Sequence, residues 1–151
     1  MVEHEGAGTH DLSDSCCAPM SINELQGLSS DSTTPISLDE IQGYGAVRGS
    51  EKLRTNVAAL YSGGNLSAKD VLITPGSIHA NFLVMYALIG PGDHVICHYP
   101  TFQQLYTVPE SLGAKVTLWK AKEDKDWSLD VDELEKLITP ETKLIVIKWV
   151  V

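Results

Sequence analysis

The chain has 151 residues, of which 43% are hydrophobic, and its formal net charge at pH 7 is -9. A chain of this length fits one ordinary domain and carries enough apolar residues for a core. Nucleic acids and anionic membranes are bound mainly by clustered Lys and Arg, so the acidic balance argues against both partners. No apolar run reaches the roughly 20 residues that span a bilayer, and the N-terminus is acidic and polar, so we expect a cytoplasmic protein.

The composition changes abruptly near residue 20. Residues 1–19 are rich in Gly, Ser and Asp without periodicity, and we predict a disordered tail there. Residues 20–48 form an N-terminal segment with short, ambiguous patterns, in which Ser37 followed by acidic residues resembles a helix start. Residues 49–151 carry regular patterns and are predicted to form the main domain.

The first firm helix is predicted after Ser50. A serine at this position can accept a hydrogen bond from the backbone of the first helical turn, and Gly63 with Gly64 would end the helix. Its apolar residues recur at helical spacing: Leu53, Val57, Ala58 and Leu60.

From residue 70 onward, apolar strand patterns alternate with helical ones. Strict alternation implies right-handed crossovers and a mainly parallel sheet, which is an α/β fold. The helix predicted at residues 77–89 is apolar on every side, which is typical of a buried helix and not of an amphipathic surface one. The predicted strands are residues 70–74, 93–99, 114–121 and 142–151, and the further helical segments are residues 102–113 and 129–138.

The cysteines and histidines do not suggest a metal site. Cys16, Cys17 and Cys97 form neither an even disulfide framework nor a spaced ligand pair, and Cys97 lies in an apolar run typical of a core strand. His94 and His98 would share one face of that strand, but no Asp, Glu or Cys at ligand spacing completes a site. We interpret them as a strand histidine pair without a metal.

The segment "TPGS", which ends at Ser77, joins the first predicted strand to the apolar helix. In an open parallel sheet, ligands bind beyond the carboxyl ends of the strands. The free N–H groups of Ser77 and Ile78 and the positive end of the helix dipole could bind an anion, with Gly76 allowing close backbone approach. The alternative is a purely structural turn, since any strand-to-helix joint needs a Gly or Ser. Neither the dinucleotide G-x-G-x-x-G pattern nor a P-loop is present.

Three blocks together carry a family resemblance: "YGAVRGSEKLR", "ITPGSIHAN" and "GPGDHVICHYPTF". The chain resembles the N-terminal part of class I/II aminotransferases, the pyridoxal-phosphate enzymes of fold type I. The resemblance implies a partial large domain over residues 49–151, containing the cofactor-binding half, with a mainly parallel sheet and helices on both faces. The family transfers an amino group between an amino acid and a 2-oxo acid and acts as a homodimer.

The resemblance also implies individual roles in binding pyridoxal 5'-phosphate. Gly76, Ser77 and Ile78 match the phosphate-binding turn, and Phe102 matches the aromatic side chain that stacks on the pyridine ring. Tyr44 matches the tyrosine that reaches the cofactor phosphate of the neighbouring subunit. Without the resemblance, Phe102 would be interpreted as a core residue and Tyr44 as a loop anchor.

The family residues that perform the chemistry would follow Val151. These are the lysine that forms the Schiff base, the arginine that holds the substrate carboxylate, and the Asn and Asp that bind the cofactor ring. No lysine present, including Lys148, matches the catalytic position, so we interpret the chain as a truncated aminotransferase that is inactive alone and exposes an apolar strand. The alternatives are a non-catalytic cofactor-binding or dimerising fragment, a related pyridoxal-phosphate lyase, and an unrelated doubly wound domain for another phosphorylated ligand.

Overall fold

The computed structural model describes residues 17–30, 37, 39, 41, 43–61 and 63–148. The chain divides into two compact units, Met1–Tyr44 and Gly45–Val151, and each is described by itself. The tail predicted at residues 1–19 lies almost entirely outside the described residues. The helix start predicted near Ser37 is only partly described. The predicted segment boundaries therefore stay predictions.

The described part of the first unit contains one short helix, α1 (Ile22–Gly27). Ser21 and Glu24 form a capping box at its start. The Ser21 hydroxyl accepts a hydrogen bond from the Glu24 amide at 3.1 Å, and the Glu24 carboxylate accepts one from the Ser21 amide at 2.7 Å. This reciprocal pair satisfies two backbone donors that the helix start would otherwise leave open.

The second unit is an α/β arrangement around three parallel strands. The strands are β1 (His94–Tyr99), β2 (Lys115–Lys120) and β3 (Thr142–Val146), and their order in the sheet is β2-β1-β3. The helices are α2 (Glu51–Ala59), α3 (Ser77–Leu88), α4 (Gln104–Ser111) and α5 (Val131–Leu137). Strands β1 and β2 pair without a shift, with His94 opposite Lys115 and Tyr99 opposite Lys120, whereas the pairing of β1 with β3 shifts register between His94 and Val95. As predicted, Ser50 caps α2, because its hydroxyl accepts a hydrogen bond from the Leu53 amide at 3.3 Å.

The strand predicted at residues 70–74 is not formed. Residues 71–74 form neither a strand nor a helix: the three strands of the sheet are β1, β2 and β3, and a strand needs a neighbour to build a ladder. Instead the Ile73 amide donates a single hydrogen bond to the Arg48 carbonyl at 3.1 Å. Strand β3 also ends at Val146, earlier than predicted, and residues 149–151 lie outside the described part of the chain.

Helices pack on both faces of the sheet, as the resemblance implies. On one face, Met85 of α3 and Leu105 of α4 pack against the fully buried Cys97 of β1. Side chains alternate along a strand, so His98 and Trp119 belong to the other face. There the Trp119 indole N–H donates to the Asp130 carbonyl at the start of α5, at 3.0 Å.

The apolar helix α3 is formed, but the prediction that it is buried is wrong for the described chain. Met85 is its buried residue, with 3% of its surface exposed, while Ile78, Phe82 and Tyr86 are exposed. The rings of Phe82 and Tyr86 stack with centroids 5.7 Å apart. A helix that is apolar all round is buried only where elements cover every side, and within the described residues α3 packs mainly on one sheet face and α4. Among the residues described, no helix is both long and apolar enough to cross a membrane.

Candidate functional site

The turn before α3 depends on Gly76. Its backbone has φ 86° and ψ 160°, a conformation that essentially only glycine adopts. The Gly76 amide donates to the Thr74 carbonyl at 2.8 Å, and the Thr74 hydroxyl donates to the Gly76 carbonyl at 3.0 Å. A Cβ atom at Gly76 would meet no atom within 4 Å. Glycine is therefore required here by backbone conformation, and the space above the turn is open.

The N-terminus of α3 presents unused backbone donors. Gly76 is the N-cap residue and has no side chain that could accept a hydrogen bond, and no acidic residue lies in the first turn. The first hydrogen bond that closes the helix runs from the Ala80 amide to the Gly76 carbonyl at 3.3 Å. The amides of Ser77 and Ile78 precede it, and both residues are exposed. Together with the dipole of a 12-residue helix, these groups can bind an anion.

Phe102 lies between β1 and α4, beyond the carboxyl end of its strand. Its carbonyl accepts a hydrogen bond from the Leu105 amide at 3.0 Å, and 42% of the residue surface is exposed. The interpretation of Phe102 as a core residue is therefore wrong for the described chain, and its ring is available to a ligand. Because the elements alternate, the loop after β1 and the turn before α3 can face a common ligand.

One side chain connects the two halves of this candidate site. The Gln104 side-chain amide, at the first position of α4, donates to the Ile78 carbonyl at 2.6 Å. The Asn81 side chain donates to the Gln104 side-chain oxygen at 3.4 Å, a longer and weaker contact. No local sequence pattern indicates Gln104, because its partner lies 26 positions away.

The segment that leads into Gly76 is held by two arginines. Arg54 donates from Nε to the Gly49 carbonyl at 3.1 Å and from Nη1 to the Ala68 carbonyl. Arg48 donates from its guanidinium group to the Lys69 carbonyl. These bonds tie the start of α2 to the short 3-10 turn Ala68–Asp70, which directly precedes residues 71–74. Both guanidinium groups therefore stabilise the backbone of this segment by donating to its carbonyl groups.

Tyr44 belongs to the other compact unit, Met1–Tyr44, and its side chain is exposed. The structure thus groups Gly76, Ser77 and Ile78 on one turn and links that turn through Gln104 to the loop that carries Phe102. Tyr44 is described apart from them, and its role stays a prediction.

A pocket of about 760 Å³ lies elsewhere in the second unit. Its lining includes His98, Trp119, Trp127 and Lys148, and none of the five predicted site residues. His98 and Trp119 belong to the sheet face that α5 covers, opposite the face where α3 and α4 pack on Cys97. The pocket is therefore separate from the donors at the start of α3.

Comparison with known proteins decides which family has this arrangement. The model of the family described as "Aminotransferase class I and II" matches residues 20–150. The chain belongs to the class I and II aminotransferases. The aspartate aminotransferase of Sulfolobus acidocaldarius is 35% identical over 109 residues, and the tyrosine aminotransferase of Mus musculus is 34% identical over 107 residues.

Solved structures agree with this membership. A PLP-dependent aminotransferase from Streptococcus suis is 46% identical and superposes with a TM-score of 0.66, over 70% of this chain. That alignment covers 28% of the Streptococcus suis chain. The match to the Sulfolobus acidocaldarius protein covers 69% of this chain and 27% of that protein. The match to the Mus musculus protein covers 70% of this chain and 24% of that protein. This aminotransferase chain thus spans about a quarter of the length of the relatives it matches.

Proposed function

We propose that residues 45–148 are the phosphate-binding part of a pyridoxal-phosphate-dependent aminotransferase large domain. The observation that carries the proposal is the start of α3 at Gly76. There, uncapped and exposed backbone donors follow a glycine in a conformation that other residues rarely adopt. A phosphate group fits this set of donors, because it supplies acceptor oxygens and negative charge at the positive end of a helix.

Each candidate residue has a separate task in this proposal. The Ser77 and Ile78 amides bind the phosphate, and the Ser77 hydroxyl adds a further donor. Phe102 stacks on the pyridine ring, a contact that contributes about 0.5–1.5 kcal/mol beyond the area it buries. Tyr44 reaches the cofactor phosphate of the neighbouring subunit in a homodimer. Bound pyridoxal phosphate supplies the electron sink for amino-group transfer between an amino acid and a 2-oxo acid, in a cytoplasmic enzyme.

The phosphate contact can be tested with two substitutions at one position. Ser77→Pro removes the backbone N–H, and the first helical position tolerates proline well. Ser77→Ala removes only the hydroxyl and keeps the N–H. Because proline lacks the hydroxyl as well as the N–H, the comparison of the two variants isolates the amide: we expect Ser77→Pro to bind about tenfold or more weakly than Ser77→Ala, since a hydrogen bond to a charged group contributes about 1.5–3 kcal/mol. Equal affinity in both variants would remove the Ser77 amide from the site.

The ligand for these titrations should be pyridoxine 5'-phosphate. It has no aldehyde, so it cannot react covalently with surface lysines and create false binding. Pyridoxine without the phosphate is the matched control and should bind much more weakly to the wild-type chain. If the two ligands bind equally, or neither binds, the proposed phosphate site is wrong.

The ring contact has its own control within the chain. Phe102 and Phe82 are its two phenylalanines, and each has 42% of its surface exposed. We expect Phe102→Ala to weaken binding of pyridoxine 5'-phosphate about threefold to tenfold, from the loss of a stacking contact. Phe82→Ala, in the second turn of α3, should leave affinity unchanged. An effect of equal size in both variants would contradict a specific role for Phe102.

Turnover is expected to be absent from the purified 151-residue chain. No lysine in it matches the family's catalytic lysine, which activates the cofactor and moves the proton at the substrate carbon. An assay with amino acid and 2-oxo acid pairs should give no product above the buffer rate. Cofactor-dependent product formation would overturn this expectation without affecting the binding proposal.

A further inference from the structure

We propose that Gln104 is a positioning residue that sets the spacing between the phosphate-binding turn and the ring-stacking loop. The inference rests on the proposed function. Ser77 and Ile78 begin α3, whereas Phe102 lies two residues before α4, so the two ends of the site belong to different helices. Something must fix how those helices lie along each other.

Apolar packing alone does not set that spacing. Met85 of α3 and Leu105 of α4 both pack on Cys97, but hydrophobic contact is non-directional and tolerates small shifts of one helix along the other. The hydrogen bond from the Gln104 side chain to the Ile78 carbonyl has a short distance, 2.6 Å, and a required direction. It also binds the residue whose amide is proposed to hold the phosphate. Gln104 therefore fixes the start of α4 against the turn that carries those donors.

The consequence differs between ligands that span the site and ligands that fill half of it. The phosphate and ring of pyridoxine 5'-phosphate are joined by a short linker, so both contacts form together only if the protein holds the right spacing. Inorganic phosphate needs only the turn at Gly76. Loss of the Gln104 hydrogen bond should therefore weaken the binding of pyridoxine 5'-phosphate, the spanning ligand, and leave the affinity for inorganic phosphate, the half-site ligand, unchanged.

The experiment compares Gln104→Ala with Gln103→Ala in the full 151-residue chain. Gln103 is the adjacent residue of the same type, is exposed, and makes no side-chain capping bond to α4. We expect Gln104→Ala to weaken the binding of pyridoxine 5'-phosphate about fivefold to tenfold, which is equivalent to the loss of about one net hydrogen bond. The binding of inorganic phosphate should weaken less than twofold. Gln103→Ala should change neither affinity.

A double-mutant cycle tests the coupling directly. If Gln104 acts by placing Phe102 relative to the turn, Gln104→Ala should cost no further affinity in a Phe102→Ala background. Additive losses of affinity would show that Gln104 acts independently of Phe102 and would overturn the inference. Gln104→Glu provides a second variant of the same size. Its carboxylate cannot donate to the Ile78 carbonyl, so we expect at least the same loss for the spanning ligand.

The outcomes separate this inference from the proposed function. If the wild-type chain binds neither ligand, the proposed function falls and the inference falls with it. If the wild-type chain binds both ligands and the Gln104→Ala and Gln103→Ala variants have the same affinities for them, only the inference is wrong. If Gln104→Ala weakens both ligands equally and also lowers the thermal midpoint, Gln104 stabilises the fold without positioning the site, which again overturns the inference.

Discussion

Gly49 is a residue at which backbone conformation and space both demand glycine. Its φ is 89°, and a Cβ atom there would lie 2.6 Å from the Cβ of Ile73. We expect Gly49→Ala to destabilise the chain by about 2 kcal/mol or more, because backbone strain of about 1–3 kcal/mol adds to the clash. Urea unfolding measures the change. Gly45→Ala is the control, since a Cβ there meets no atom within 4 Å, and equal losses in both variants would contradict this account.

Cys97 is predicted from sequence to be a small core residue, and the structure confirms that it is fully buried. Burial raises the pKa of its thiol to about 11. At pH 8 only about one Cys97 thiol in a thousand would be the reactive thiolate. In a Cys16→Ser, Cys17→Ser variant, we expect the remaining thiol to react with a disulfide reagent only after urea unfolding. Rapid labelling in the native state would show that Cys97 is accessible.

At the scale of elements, the turn between α3 and β1 is fastened to strand β3 by Asp93. One Asp93 carboxylate oxygen accepts hydrogen bonds from the Gly90 amide at 2.8 Å and from the Lys143 ammonium group at 3.2 Å. The Gly90 hydrogen bond, followed by Lys143, lowers the pKa of Asp93 below its ordinary value. The native state is therefore favoured by ionised Asp93, and this contribution is lost as the pH falls from about 4 through the lowered folded-state pKa.

This linkage gives a pH-dependent expectation for Asp93→Asn. At pH 7 the variant should unfold at a lower urea concentration than the wild type, and the difference should shrink as the pH falls below about 4. Asp39→Asn, at an exposed position in the first unit, makes the same change in net charge. A constant difference between wild type and Asp93→Asn across that pH range would contradict the assignment.

Elements whose signals are local could be predicted, and those that depend on distant partners could not. Ser50 bonds an amide three residues away, so the start of α2 is determined within a window of a few residues. The strand predicted at residues 70–74 fails because a strand requires a neighbouring strand, which an apolar pattern does not supply. The Gln104 bond to Ile78 spans 26 positions and exists only once the helices have packed.

At the scale of the whole molecule, the sequence indicates which apolar surfaces should be buried but not which elements bury them. The apolar pattern of α3 predicts burial on every side, yet Phe82 and Tyr86 remain exposed within the described chain. The sequence alone leaves the turn at Gly76 and Ser77 open between an anion-binding and a purely structural interpretation, and the prediction of pyridoxal phosphate as its ligand comes only from the family resemblance. The anion-binding donors proposed here are backbone N–H groups, so no particular side chain in the sequence indicates them.

Strand β3 is an edge of the sheet and presents apolar side chains. Ile145 of β3 is 38% exposed and Ile147, the residue directly after the strand, is 51% exposed, and β3 pairs with β1 on one side only within the described residues. An exposed apolar edge is a template for pairing with another chain. We expect the 151-residue chain to self-associate at tens of micromolar, roughly the concentration at which such edges aggregate, and sedimentation velocity to show species larger than a monomer.

Charge placed on this edge should reduce that association. The double variant Ile145→Glu, Ile147→Glu puts like charges where two edges would meet, and we expect sedimentation velocity to shift towards monomer while amino-group transfer remains absent. The control Leu60→Glu, Leu66→Glu adds the same charge at exposed leucines outside the sheet. If the control improves solubility equally, net charge and not the edge governs association. A wild-type chain that sediments as a compact monomer would show that the β3 edge does not pair at all.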